Sequence, residues 1–585
     1  MQISPSVARA TEKTSVYSTT DYSLTVPRAI LILAAVYGMV SFLNLNGQSV
    51  SNPDEPRLAF AAREMLRGKD WLVPQFNTQQ HLTKPIFFYW VIAIAGYVGQ
   101  FLGLGLSAAF RLGPVFMGFF TVLAVFFIGL RFRNVRYAFF SAAILATSFT
   151  FHRISRLLVV DMTLSAFLLW AWYWFILSLD RIDNNRSALK TLLAFYITLG
   201  FACMTKGPGV VAVFVVVPAG LLLWWEGRLK LLARAGLWWG VPLALLLGHW
   251  WFIALAWRGL DMKRNFLVEN FGRISGLDHL RPVPFVFYID AIIGAFAPWT
   301  LFLPFAIVAA VKEFRARASA PLGRDYKILC CCLIFPFTAI GLAVTKRPLY
   351  ALPLYPFLSL LLARYFELTL FTRTAPLLMR RWVKALPFVL PVLFGIGLAV
   401  ALQHYRVPSD MALSPASILA VVIVLTAAHF SPRAAIRQDW LRMLNYCVVL
   451  AAGLLLSYEA AIAPTFERQH DTEAFYAKVG GRLNGRKLVL YGDNTNEAVW
   501  YLDRPTIEVE SVKFNPSLPD SLKLTDTAIL CTADILSRTP ALKEALVPEM
   551  HLARDNEDWV LGSAAELKHA IIVHNFATIP ATKDD

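Results

Sequence analysis

Apolar stretches of about 20 residues recur along most of this chain, each long enough to cross a ~30 Å hydrocarbon core as a helix. They lie near residues 27–45, 113–130, 137–151, 162–179, 190–204, 208–225, 236–257, 286–311, 328–344, 349–366, 383–402, 415–430 and 443–463. No other feature constrains the fold as strongly, because a backbone inside lipid must satisfy its own hydrogen bonds. Of 585 residues only 16% are charged, against about 25% in a soluble domain. The expected fold class is a polytopic α-helical membrane protein of about 13 transmembrane helices, with a soluble α/β domain at its C-terminus.

The charge is unevenly spread. From Thr465 to Asp585 there are 13 Lys and Arg against 19 Asp and Glu, leaving 42 against 20 in the rest. Such asymmetry marks regions in different environments. Basic clusters fall between alternate spans: Arg131, Arg133 and Arg136; Arg181, Arg186 and Lys190; Arg228, Lys230 and Arg234. Three more follow around Lys312–Lys327, Arg373–Lys384 and Arg433–Arg442. The positive-inside rule makes all six cytoplasmic. An N-terminus inside and 13 spans follow if the apolar run Ile86–Gly103 is interfacial or re-entrant. Its aromatic start, Phe87 to Trp90, suits a membrane interface.

That register divides the chain into a cytoplasmic tail (1–26), a membrane domain (27–464) with an outward loop at 46–112, and an outward soluble domain (465–585). In the last, Lys487–Tyr491 and Thr527–Cys531 are predicted strands, and Asn496–Leu502 and Ala541–Leu546 predicted helices. Six scattered cysteines form no metal or redox spacing. No Walker loop or dinucleotide fingerprint appears, and no soluble basic domain exists to bind nucleic acid.

The outward side collects ionisable groups. Ser51-Asn52-Pro53-Asp54-Glu55-Pro56-Arg57 places two carboxylates just beyond the first span. Asp161 stands at the outward head of another. Each pattern fits a helix N-terminus as well as a site, since acids favour a first turn. Lys84-Pro85, Lys206-Gly207-Pro208 and Lys346-Arg347-Pro348 stand where outward loops enter spans. Snorkelling to lipid phosphates is one reason for such cations; a shared anion site is the other. The loop 258–284 adds Glu269 and Arg273 among further cations. Carboxylates beside many cations at a membrane surface suit lipid-linked sugar phosphate chemistry, where charge develops on a departing phosphate.

Pro53-Asp54-Glu55-Pro56-Arg57, Ala62-Arg63-Glu64-Met65-Leu66, Gly68, Asp70-Trp71, Pro74, Asn77, Lys84-Pro85 and Tyr89-Trp90 follow one another in the first outward loop. This series resembles that loop in the bacterial aminoarabinose transferases, glycosyltransferases of the GT-C superfold related to the protein O-mannosyltransferases. Asp161, Lys206-Gly207-Pro208 and Lys346-Arg347-Pro348-Leu349-Tyr350 look like the family's later motifs, in matching order. Thr83 is a departure, standing where the family often has a glutamate.

The resemblance implies transfer of 4-amino-4-deoxy-L-arabinose from undecaprenyl phosphate to a lipid A phosphate. The setting would be the periplasmic face of a Gram-negative inner membrane, and the outcome resistance to polymyxin and other cationic peptides. It implies a catalytic set of Asp54, Asp161 and Glu55. Lys84, Arg57 and Lys346 would clamp the donor phosphate, with Lys206 and Arg347 next, Tyr350 hydrogen-bonding it, and Glu269 and Arg273 in an acceptor or accessory role. No cofactor is expected to be required, a divalent cation at Asp54 stays an open alternative, and a monomer is expected. The alternatives are a polyprenyl-phosphate mannosyl- or hexosyltransferase acting on protein or lipid, and a lipid transporter, although no internal repeat supports the latter.

Overall fold

All thirteen apolar segments fall on helix in the computed structural model. It describes residues 24–51, 54–77, 79–260, 283–316, 323–344, 346–371, 377–483, 485–491, 496–503, 509–512, 527–538, 546–554 and 557–564. Glu269 and Arg273 lie outside the described residues. Among those described, 10 helices are long and apolar enough to cross a membrane, and a bent pair makes up to 11. Val26–Phe42 and Val135–Ala146 are shorter apolar helices, as is Phe87–Phe101. The last has 15 residues, a rise of about 22 Å, short of a ~30 Å core. Leu31, Ile94, Trp238, Leu246, Ile334, Val392 and Leu425 are exposed apolar side chains on these helices, as a lipid-facing surface requires.

Two helices depart from the simple pattern, and the departures meet. The sequence predicts one unbroken span over 286–311. The structure instead bends by 115° between Phe287–Ala295 and Trp299–Arg315. Pro298 explains the break, since the residue before a proline is disfavoured in helix and proline donates no hydrogen bond. The apolar run 137–151 is likewise divided, into Val135–Ala146 and Phe149–Ser155. At the junction the Phe149 N–H donates to the Ala297 carbonyl at 3.0 Å, and Trp299 Nε1 donates to Thr147 Oγ1 at 3.0 Å. Each break satisfies groups that lipid could not.

The two ends of the bundle differ in chemistry. Val160–Asp183, with 24 residues, runs about 36 Å from Asp161 at one end to Asp180 and Asp183 at the other. The far end gathers the basic clusters. Arg131 pairs with Asp180 and Arg228 with Asp183. Arg324 reaches Asp183 at 2.8 Å and Glu226 at 3.1 Å, and Arg133 reaches Asp325 at 3.0 Å. Cations from three separate clusters thus share one face with Asp180 and Asp183.

The last span carries helix past residue 464. Trp440–Ser457 continues through a π turn, Tyr458–Ile462, into Ala463–His470, and Thr472–Leu483 follows. The boundary expected at 464/465 therefore falls inside a helix. Beyond it the strand order is Val509–Val512, Lys487–Tyr491, Thr527–Thr532, Glu557–Ala564, Leu546–Arg554. The first three are parallel and the last two antiparallel. Tyr476, Val479, Leu488, Leu490, Ala528 and Leu530 form its core. Asn496–Leu502 is helical as predicted. Leu546, predicted to end a helix, instead opens a strand whose residues pair with Glu557–Ala564, while 541–545 lie outside the described residues.

Candidate functional site

Asp54 sits at the N-cap of Glu55–Leu66, a helix opened by Pro56, yet its side chain caps nothing. One carboxylate oxygen takes Arg57 Nη2 at 2.7 Å and the other takes Arg347 Nη1 at 2.7 Å. Burial works to raise the Asp54 carboxyl, but Arg347, Arg57 and Lys84 outweigh it, so the group lies below the usual carboxylate range. It is an anion at neutral pH and a weak base. Arg347 is extended, as a residue before proline must be, which aims it across to the first loop.

Asp161 is in the first turn of Val160–Asp183 and pairs through Oδ1 with Lys206 Nζ. The Lys-Gly-Pro sequence explains that lysine's place. Lys206 ends the helix Leu189–Lys206, where a cation favours the dipole. Gly207 turns the chain at φ +102°, a backbone conformation that side chains resist. Pro208 then starts the next helix, where its missing N–H costs nothing. Lys206 Nζ also lies 4.5 Å from the centroid of the Tyr350 ring, within reach of a cation–π attraction.

These two pairs face one cavity of about 160 Å³. Asp54, Arg57, Lys84, Asp161, Lys206, Arg347 and Tyr350 line it, with His81 and Thr83. Seven residues singled out from sequence are therefore brought together from four distant parts of the chain. His81 was not singled out, and Thr83 only as a departure from the resembled pattern. The signal was local, since both belong to the loop that ends in Lys84-Pro85, and Thr83 Oγ1 lies 3.0 Å from His81 Nε2.

Two expected site residues point elsewhere. Lys346 Nζ donates to the Val283 and Ala343 carbonyls, each at 2.6 Å, and is not among the cavity's lining residues. Glu55 is 1% exposed and binds Arg111 Nη1 at 2.7 Å, while its Oε1 also accepts the Leu158 N–H at 2.6 Å. Its neighbour Asp54 stays outside the helix and faces the cavity. Among the described residues, no three His, Cys, Asp or Glu come together to hold a metal ion.

Residues 61–266 match the family model described as dolichyl-phosphate-mannose-protein mannosyltransferase. Among curated proteins, an undecaprenyl phosphate-alpha-4-amino-4-deoxy-L-arabinose arabinosyl transferase of Serratia proteamaculans is 30% identical over 58% of this chain and 59% of its own length. One of the same name from Pectobacterium atrosepticum is 26% identical over 72% of this chain and 74% of its own. The chain spans somewhat under three fifths of the length of the first of these relatives. ArnT from Cupriavidus metallidurans bound to undecaprenyl phosphate superposes with a TM-score of 0.71 at 20% identity, covering 92% of this chain and 99% of that one. Its apo state gives 0.68 at 20% identity, over 91% and 97%. The fold is therefore the GT-C fold. Coverage that wide takes in the soluble domain as well as the spans.

Proposed function

We propose that this multi-pass membrane protein moves 4-amino-4-deoxy-L-arabinose from undecaprenyl phosphate to a phosphate of lipid A. The observation that carries the reading is the cavity in which Arg57, Lys84, Lys206 and Arg347 surround Asp54 and Asp161. The names of the curated relatives and the lipid bound to the Cupriavidus protein support it. The gathering of basic clusters at one end of the bundle, which the positive-inside rule assigns to the cytoplasm, supports a cavity at the periplasmic face of the inner membrane.

An oxygen of the acceptor phosphate attacks the anomeric carbon of the sugar. The bond from that carbon to the donor phosphate oxygen breaks, and its electron pair leaves on undecaprenyl phosphate. A diester with one negative charge becomes a monoester with nearly two, and the cations lining the cavity stabilise that growth. The acceptor phosphate titrates near ~6, as other phosphate monoesters do, so it attacks as an anion and needs no base. Asp54, already ionised among its cations, is better suited to hold the sugar's ammonium group than to accept a proton. Asp161 holds Lys206 against the Tyr350 ring. The chain's own cations supply the charge stabilisation. A sugar amine added to lipid A lowers its negative charge, and with it the attraction of polymyxin and similar peptides.

The test is a mass spectrum of lipid A from a host that makes the aminoarabinose lipid but lacks its own transferase. Expression of the chain is expected to yield lipid A heavier by one aminoarabinose, and Asp54→Asn is expected to abolish that species. Unmodified lipid A, with the protein present in the membrane, would overturn the reading. It would favour the hexosyl alternative, which the match to the mannosyltransferase family model over 61–266 also represents.

A further inference from the structure

Five ionisable side chains form a buried lattice behind the cavity: Glu55, Arg111, His152, Arg156 and Glu459, each no more than 1% exposed. Glu459 stands in the π turn of the last span. Its Oε1 accepts from His152 Nε2 at 2.9 Å, and its Oε2 pairs with Arg156. Arg156 Nη2 donates to the Leu43 carbonyl at 2.8 Å, at the end of the first helix. The Arg156 carbonyl accepts Arg111 Nη1 at 2.6 Å, and Arg111 holds Glu55 and, through Nη2, the Ser49 carbonyl at 2.8 Å. Glu55 then takes the Leu158 N–H.

The lattice spans the two segments that carry the cavity's carboxylates. Glu55 is next to Asp54. Arg156 and Leu158 lead through Val159 and Val160, which line the cavity, into Asp161. Two guanidinium groups balance two carboxylates, and His152 completes the set as a neutral donor. Burying such groups is expensive, and well-packed apolar residues would hold the helices as firmly at lower cost. What directed charge pairs add is a fixed register. Ser49 is held from a third side by Glu467, eight residues beyond Glu459, which accepts its N–H at 3.1 Å.

We infer that Glu459 is a positioning residue: through Arg156, Arg111 and Glu55 it sets the distance between Asp54 and Asp161. The inference rests on the proposed transfer for its kinetic consequence, and on geometry alone for its structural one.

Two measurements on the full-length protein in nanodiscs test it. Glu459→Gln is compared with the paired replacement Glu459→Met/Arg156→Met, which leaves no uncompensated charge, and with Glu313→Gln, which breaks a pair to Arg364 at the opposite end of the bundle. Amide exchange across 156–161 is expected to rise about tenfold in both lattice variants and to match wild type in Glu313→Gln. With the lipid donor and lipid A, kcat is expected to fall about 10²-fold, the scale of a small misplacement, with KM for the donor within about threefold. The paired variant is expected to recover its Tm without recovering kcat. Unchanged exchange at 156–161, or kcat that returns with Tm, overturns the inference. A wild-type protein that transfers no sugar overturns the functional reading instead, and the exchange result still decides this one.

Discussion

Asp54 and Arg347 are 293 residues apart and share one hydrogen bond, which gives the site a testable pH dependence. The Asp54 carboxyl is depressed because Arg347, Arg57 and Lys84 together outweigh the upward push of burial. A depressed carboxylate stays ionised as pH falls below its ordinary value of about 3.9 and loses its charge only at the lower folded value. Arg347→Ala removes the foremost lowering influence and leaves burial in place. The carboxyl then moves up, and the acid limb that Asp54 contributes to the transfer rate, below the one set by the acceptor phosphate, moves to higher pH. At neutral pH the same variant is expected to lose about 10²-fold in rate, the order for one donor that stabilises a developing anion. A pH–rate profile on wild type and variant checks both statements, and an acid limb that stays put or moves down refutes the first. The same residues mark what sequence could and could not tell. The Asp-Glu-Pro-Arg and Lys-Arg-Pro patterns were legible because they are local. Which of two adjacent acids or cations faces the cavity was not, since it depends on backbone direction. Glu55 enters a helix and turns to Arg111, while Asp54 stays at its mouth. Lys346 turns to two carbonyls, while the extended Arg347 crosses to the first loop.

The Glu55–Leu66 helix shows how an element links the site to the soluble domain. Asp54 and Arg57 face the cavity at its start, and Arg63 and Arg67 meet the soluble domain near its end. Arg63 lies between Phe60 and Trp500, its guanidinium carbon 4.8 and 4.5 Å from the ring centroids. It also donates to the Trp500 carbonyl at 2.9 Å. Burial pushes the guanidinium down to about 10, so it remains charged at neutral pH. Arg67 makes a two-pronged pair with Asp503, but both side chains are more than a third exposed. Arg63→Ala is therefore expected to cost about 2–3 kcal/mol in stacking and hydrogen bonding, and Arg67→Ala about 0–1 kcal/mol. Thermal unfolding in detergent, with protease release of the soluble domain as a second readout, separates them; equal losses would contradict the ranking. Burial raises the Asp503 carboxyl, but Arg67 and Arg63 prevail and hold it below the ordinary range. Its contribution is thus present above about pH 3.9 and fades as pH falls through the lower folded value, leaving docking intact in mild acid. Leu58, Phe60, Ala61, Met65 and Leu66 can form one apolar helix face between 57 and 68, so this helix is legible in the sequence. Its partner, Asn496–Leu502, was also predicted as a helix, but 430 residues of separation hid their contact. The break at Pro298 was not predicted, although the proline stands in the sequence, because it depends on Phe149 and Trp299 supplying the hydrogen bonds that make a 115° bend tolerable in lipid.

At the scale of the whole molecule, charge is divided along the membrane normal. The alternation of basic clusters predicts one basic face, and the structure gathers three of those clusters through Asp180, Asp183, Glu226 and Asp325. The cavity stands at the other ends of the same helices, at Asp161 and Lys206. Cations at the cavity therefore need a reason other than orientation, and an anionic lipid donor supplies one. Hydrophobic periodicity made this architecture legible, since it needs only spans and signs of charge. The strand order of the soluble domain was hidden because it depends on pairings between distant short segments. The orientation itself can be read chemically. The native cysteines are all buried except Cys330, which is half-buried in the span Arg324–Leu342, so background labelling by a membrane-impermeant maleimide is expected to be low. Ser409 is exposed at the cavity end, beside Asp410 and its partner Arg468; Ser187 is exposed at the basic end. Both replacements by cysteine keep size and charge nearly constant. Ser409→Cys is expected to label in intact spheroplasts, and Ser187→Cys only after the membrane is opened. The reverse pattern would put the cavity in the cytoplasm, where lipid A facing the periplasm could not reach it. The proposed acceptor would then fall even if the donor chemistry stood.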